Sequence, residues 1–151
     1  MRHLIEKPTA QNIGVLLALC TGMRIGEVCA LQWQDVDFRQ RIITVRHTVG
    51  RVYNCELKST EKIHSSPKTR NSYRDIPISK HLFQCLKTVK KVSASPYVVG
   101  SAEHSKEPRS YRDYFSRLLK RLDIPQIVFH GLRHIISSYS LKTRNLQRLS
   151  A

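Results

Sequence analysis

The spacing of apolar residues changes twice along this chain, and that switch constrains the fold more than any other feature. Ile13, Leu16, Leu17 and Cys20 recur at i, i+3, i+4 and i+7, the period of a helix with one buried face. Pro8-Thr9 suits the start of that helix and Gly22 its end. A second helix is expected from Arg24, burying Ile25, Val28, Cys29 and Leu31 and stopping around residues 33–35. Between residues 42 and 53 the period changes. Ile43, Val45, Val49, Val52 and Tyr53 are β-branched or aromatic and indicate strand, with a turn around Gly50. "RDIPIS", residues 74–79, reads as a further short strand that Pro77 confines to an edge. The polar stretch between them, "KSTEKIHSSPKTRNS", is too poor in apolar residues for core and reads as an exposed hairpin connection.

Helical spacing returns with Leu82, Cys85, Leu86 and Val89, leaving Lys87, Lys90 and Lys91 on the solvated side. "SPYVVGS" follows as a short buried extended segment. Ser110 with Asp113 resembles a capping box for a helix whose stripe is Tyr111, Tyr114, Phe115, Leu118, Leu119 and Leu122. Asp123-Ile124-Pro125 closes that helix, and a last one begins near His130. The expected order is two helices, a small antiparallel sheet and three helices. That is an α+β fold, mainly helical, in one domain spanning residues 1–151.

Charge narrows the partner. The 151 residues carry 26 Lys and Arg against 11 Asp and Glu, a net +15 that exceeds what solubility requires. A polyanion is the expected partner. No stretch approaches the roughly 20 apolar residues of a spanning helix, so nucleic acid is favoured over membrane. Cys20, Cys29, Cys55 and Cys85 show no metal-ligand spacing, and three of them fall on apolar helix positions. They read as small core residues of a reduced protein in the cytoplasm, with no metal and no cofactor.

The last helix carries the sharpest internal pattern. At 100° per residue, Leu132, Ile135, Ile136 and Tyr139 share one face, and His130, Arg133, His134 and Ser137 share the opposite one. Spacing alone also accommodates a solvated face that happens to be basic. His130 stands at the helix start, a setting that attracts anions.

With "TGMRIGE" at 21–27, "PKTRNSYRDIPI" at 67–78 and "HGLRH" at 130–134, the chain resembles the catalytic domain of the tyrosine recombinase (phage integrase) family. The three blocks stand in that family's order. The resemblance implies DNA cleavage by attack of a tyrosine on a phosphodiester, forming a 3′-phosphotyrosyl bond without metal. Arg24 and Arg133 match the two arginines that stabilise the five-coordinate phosphate, a task suited to planar, permanently charged guanidinium groups. His130 matches the histidine that hydrogen-bonds the phosphate or assists proton transfer. Lys68 matches the lysine that protonates the leaving 5′-oxygen, selected over Lys58 and Lys62 by its place shortly before "RDIPI". Glu27 and His134 match supporting positions. The implied partners are double-stranded DNA and other recombinase protomers, with no membrane and no small-molecule substrate, in a prokaryotic nucleoid.

The departures shape the expectation further. In the family, a second histidine or tryptophan and the nucleophilic tyrosine lie well downstream of the second arginine. Here the residues after Arg133 contain no G-H block, and their one tyrosine, Tyr139, sits on the apolar stripe and reads as core. No nucleophile is assigned. The expectation is a catalytic domain truncated at both ends, lacking the amino-terminal DNA-clamping domain and unable to cleave alone unless a partner supplies the tyrosine. A non-catalytic DNA-binding remnant or regulator is the alternative. Type IB topoisomerases share much of the pocket chemistry, but "TGMRIGE" and "HGLRH" look more like integrases.

Overall fold

The computed structural model describes residues 2–54, 59–65, 73–101 and 104–133. The chain begins with a short helix, α1 (Arg2–Glu6), followed by α2 (Ala10–Thr21) and α3 (Ile25–Ala30). Thr9 caps α2, its Oγ1 accepting from the Asn12 amide at 3.1 Å. Gly22 ends it in the left-handed region at φ 67°, donating its N–H to the Ala18 carbonyl. Both boundaries match the sequence reading.

The surroundings of α2 do not. Seven successive residues, Asn12 to Ala18, are buried, so the helix is enclosed rather than one-faced. Gly14 is part of the reason: a Cβ there would collide with the Tyr111 hydroxyl and come within 2.9 Å of Val99 Cγ2. Asn12 is tolerated because its polar atoms are bonded, Nδ2 donating to the Lys7 carbonyl at 2.8 Å and Oδ1 accepting from the Tyr114 hydroxyl.

Helix α3 stops at Ala30, and residues Trp33–Asp35 form a separate 3-10 turn. A three-stranded antiparallel sheet follows, ordered β1 (Val36–Asp37), β2 (Ile42–Val45), β5 (Arg74–Pro77). Ile43 and Val45 of β2 are buried, and β5 is an edge strand, as Pro77 requires. A separate two-stranded ribbon pairs β3 (Thr48–Asn54) with β4 (Ser59–Ser65). Two expectations are corrected here. Gly50 lies within β3, paired with Ile63, rather than in a turn. Residues 59–65 of the stretch read as a connection form β4, because backbone pairing with β3 makes them a strand without an apolar alternation.

Helix α4 (Lys80–Val92) buries Leu82, Cys85, Leu86 and Val89 and exposes Lys87, Lys90 and Lys91. Helix α5 (Pro108–Arg121) buries Tyr111, Phe115, Leu118 and Leu119. It begins two residues earlier than the proposed capping box: Pro108 occupies the first turn, where its missing N–H is harmless, and Ser110 is an exposed residue inside the helix. Cys29 and Cys85 are buried and Cys20 half-buried, and burial pushes the Cys20 and Cys85 thiols up. Among the described residues, no helix is long and apolar enough to cross a membrane.

Phe129 locks the next segment to this core. Its ring meets Tyr111 and Phe115 edge-on, with centroids 5.7 and 5.2 Å apart. A helical turn then begins at Gly131, with Leu132 buried and His130 exposed.

Candidate phosphate-binding site

Arg24 takes its place from local chain geometry. The left-handed Gly22 turns the backbone out of α2, and Arg24 becomes the residue that precedes α3. Gly26 seats α3 on β3: a Cβ there would lie 2.5 Å from both Thr48 Oγ1 and the Val49 carbonyl oxygen. The same Gly22 turn packs beside the second arginine, since a Cβ on it would come within 3.8 Å of Arg133 Cγ. Phe129 in the core brings the 130–133 segment to that turn.

The outcome is one cleft of about 280 Å³, lined by Met23, Arg24, Ile25, Gly26, Thr48, Val49, Phe129, His130 and Arg133. Arg24, His130 and Arg133, remote in sequence, therefore share one cavity. Lys68 and His134 lie outside the described residues. A second groove of about 440 Å³ shares Ile25 and Val49 with this cleft and is lined by Arg51, Arg109 and Arg112 together with Glu107 and Asp113. Arg51 pairs with Glu107 at 3.0 Å.

Glu27 is 5% exposed and accepts four hydrogen bonds. Two come from Arg24, its backbone N–H to Oε2 at 2.8 Å and its Nη1 to Oε1 at 3.1 Å. Two come from Arg74 of β5, Nη1 to Oε1 at 3.0 Å and Nη2 to Oε2 at 2.8 Å. Burial would raise the Glu27 carboxyl pKa, but the bonds from Arg74 and Arg24 outweigh it and hold the group below the ordinary carboxylate value. The carboxylate stays charged beside two cations, and the trio keeps a net positive charge. Arg74 was missed in the sequence. Its one signal was a charged residue at the start of "RDIPI", which does not reveal that a buried carboxylate from another element waits there.

An oxygen-rich anion fits this chemistry. Guanidinium groups offer planar pairs of donors to phosphate oxygens.

The fold is that of tyrosine recombinase catalytic domains. It superposes with a TM-score of 0.66 on the Tn1549 transposon integrase solved in complex with transposon right end DNA, at 26% identity, over 82% of this chain and 43% of that one. The crystal structure of XerA recombinase matches at a TM-score of 0.66 over 94% of this chain, at 19% identity a likeness of fold alone. The chain belongs to the phage integrase family, whose profile matches residues 2–145. It is 31% identical over 130 residues to the ICEBs1 integrase of Bacillus subtilis (strain 168), covering 78% of this chain and 34% of that protein. To the XerC-like tyrosine recombinase of Caldanaerobacter subterraneus subsp. tengcongensis it is 28% identical over 138 residues, covering 79% and 35%. The chain thus spans about a third of the length of these relatives.

Proposed function

We propose that this chain carries the phosphate-binding part of a site-specific recombinase and that its partner is double-stranded DNA. The observation that carries the reading is the meeting of Arg24, His130 and Arg133 in one cleft. Membership of the phage integrase family supports it, as do the net charge of +15 and the basic groove adjoining the cleft.

In this reading a phosphodiester enters the cleft, and Arg24 and Arg133 bond its two non-bridging oxygens. As a tyrosine hydroxyl attacks phosphorus and gives up its proton to solvent, negative charge on those oxygens grows, and fixed guanidinium groups stabilise it without reorganising. The bond to the 5′-oxygen breaks, and Lys68 gives that oxygen its proton. His130 donates to the phosphate, and His134 supports the arginine beside it. The attacking hydroxyl is assigned to no residue in 1–151; in this reading a further segment or another protomer supplies it. The bacterial relatives support a place on the nucleoid of a prokaryotic cytoplasm.

The test is duplex DNA affinity at fixed moderate salt for Arg24→Ala and Arg133→Ala, with exposed Arg39→Ala as a control of equal charge change. Loss of a charge-assisted phosphate contact corresponds to about tenfold or more for the first two, against about twofold for the control. Equal small losses in all three would refute a phosphate site and leave binding by distributed charge, the non-catalytic alternative. Thermal melts of each variant confirm that it is folded.

A further inference from the structure

Glu27 is held by two arginines in two different ways. Arg74 meets it fork on fork, each terminal nitrogen on its own carboxylate oxygen, at 3.0 and 2.8 Å. The Arg24 side chain reaches it with Nη1 alone, at 3.1 Å, its other bond coming from the backbone N–H. Arg74 can hold that pose because its backbone is pinned in the sheet, in register with Val45 of β2. We infer that Arg74 is a positioning residue for the phosphate cleft: by occupying the bidentate face of Glu27 it keeps Arg24 on a single side-chain tether and directs its remaining donors to an anion in the cleft.

A carboxylate and a guanidinium left together settle into the two-bonded fork, which aligns both groups and cancels both charges. That arrangement would turn Arg24 onto Glu27 and draw it away from a phosphate. With Arg74 already in the fork, the three groups carry one net positive charge, and Arg24, whose side chain is 55% exposed against 29% for Arg74, is the member that lines the cleft. Arg74 lies outside the set of residues lining it, so its effect passes through Glu27 to Arg24. The inference rests on Arg24 being a phosphate ligand.

The experiment is a double-mutant cycle on duplex DNA affinity with wild type, Arg24→Ala, Arg74→Met and the double variant, together with Arg74→Lys. In wild type Arg24→Ala costs about tenfold or more. In the Arg74→Met background, where Arg24 has turned onto Glu27, the same change costs about twofold or less, a coupling that additive effects on folding do not produce. Arg74→Lys, which restores the charge but not the fork, recovers part of the affinity. An Arg24→Ala cost that is large and equal in both backgrounds overturns the role of Arg74 while leaving the phosphate site standing. An Arg24→Ala change without effect in wild type overturns the phosphate site, and this inference with it.

Discussion

Replacing Glu27 with glutamine keeps its shape and removes its charge, and so separates the electrostatic role of the residue from its packing. In the native chain both oxygens accept, Oε1 from Arg24 Nη1 and Arg74 Nη1, Oε2 from the Arg24 amide and Arg74 Nη2. A glutamine amide has one acceptor oxygen. Whichever way it turns, its NH₂ faces two donors, and two of the four bonds are lost. A hydrogen bond to a charged group contributes about 1.5–3 kcal/mol, which sets a ceiling of roughly 3–6 kcal/mol for the pair. Water reaches the half-exposed Arg24 side chain and compensates part of that. The expected net loss is about 2–4 kcal/mol, measured by urea denaturation at pH 7.

The loss has a predicted pH dependence. Because the folded carboxyl lies below its ordinary value of 4.5, its charge stabilises the fold above that value, and the contribution fades as pH falls through the folded pKa. The gap between wild type and Glu27→Gln is therefore full at neutral pH and narrows toward pH 4 and below. A gap under about 0.5 kcal/mol at pH 7, or one that is constant with pH, would show that the two arginines are satisfied elsewhere and refute the reasoning.

Two further outcomes follow from contacts in the core. Gly26→Ala sets a favourable helix propensity of up to about 1 kcal/mol against overpacking of about 1–3 kcal/mol, because the Val49 carbonyl at 2.5 Å cannot move without its strand. The variant is expected to be less stable in denaturant and weaker in DNA binding, and a stabilised one would remove the tight α3–β3 seat. Tyr114→Phe strips the donor from Asn12 Oδ1, in a residue 3% exposed, and is expected to cost about 1 kcal/mol, a drop of roughly 2–4 °C in Tm. An unchanged melting curve would show that this oxygen finds another partner.

Elements governed by neighbours along the chain were legible. Thr9 and Gly22 bound α2, and the stripes of α4 and α5 emerge where the 3.6-residue period places them. A misplaced feature shows the limit of local rules: Ser110 and Asp113 have capping-box spacing, yet Pro108 starts the helix earlier. β4 was hidden for a different reason. "STEKIHS" has one large apolar residue, so only its pairing with β3, a contact between separate segments, makes it a strand.

The sequence by itself determined the helical framework, the basic character and the three ordered blocks that mark the family, because period, charge and short motifs are properties of contiguous residues. Only the tertiary structure decided that Arg24, His130 and Arg133 line the same cleft, since that depends on the Phe129 ring seating the later segment against the Gly22 turn. It also decided that Glu27 is shared with Arg74. A buried carboxylate requires a cation, but which of the chain's 26 Lys and Arg residues answers is settled by the tertiary placement of β5, whose Arg74 reaches Glu27 from a segment remote in sequence.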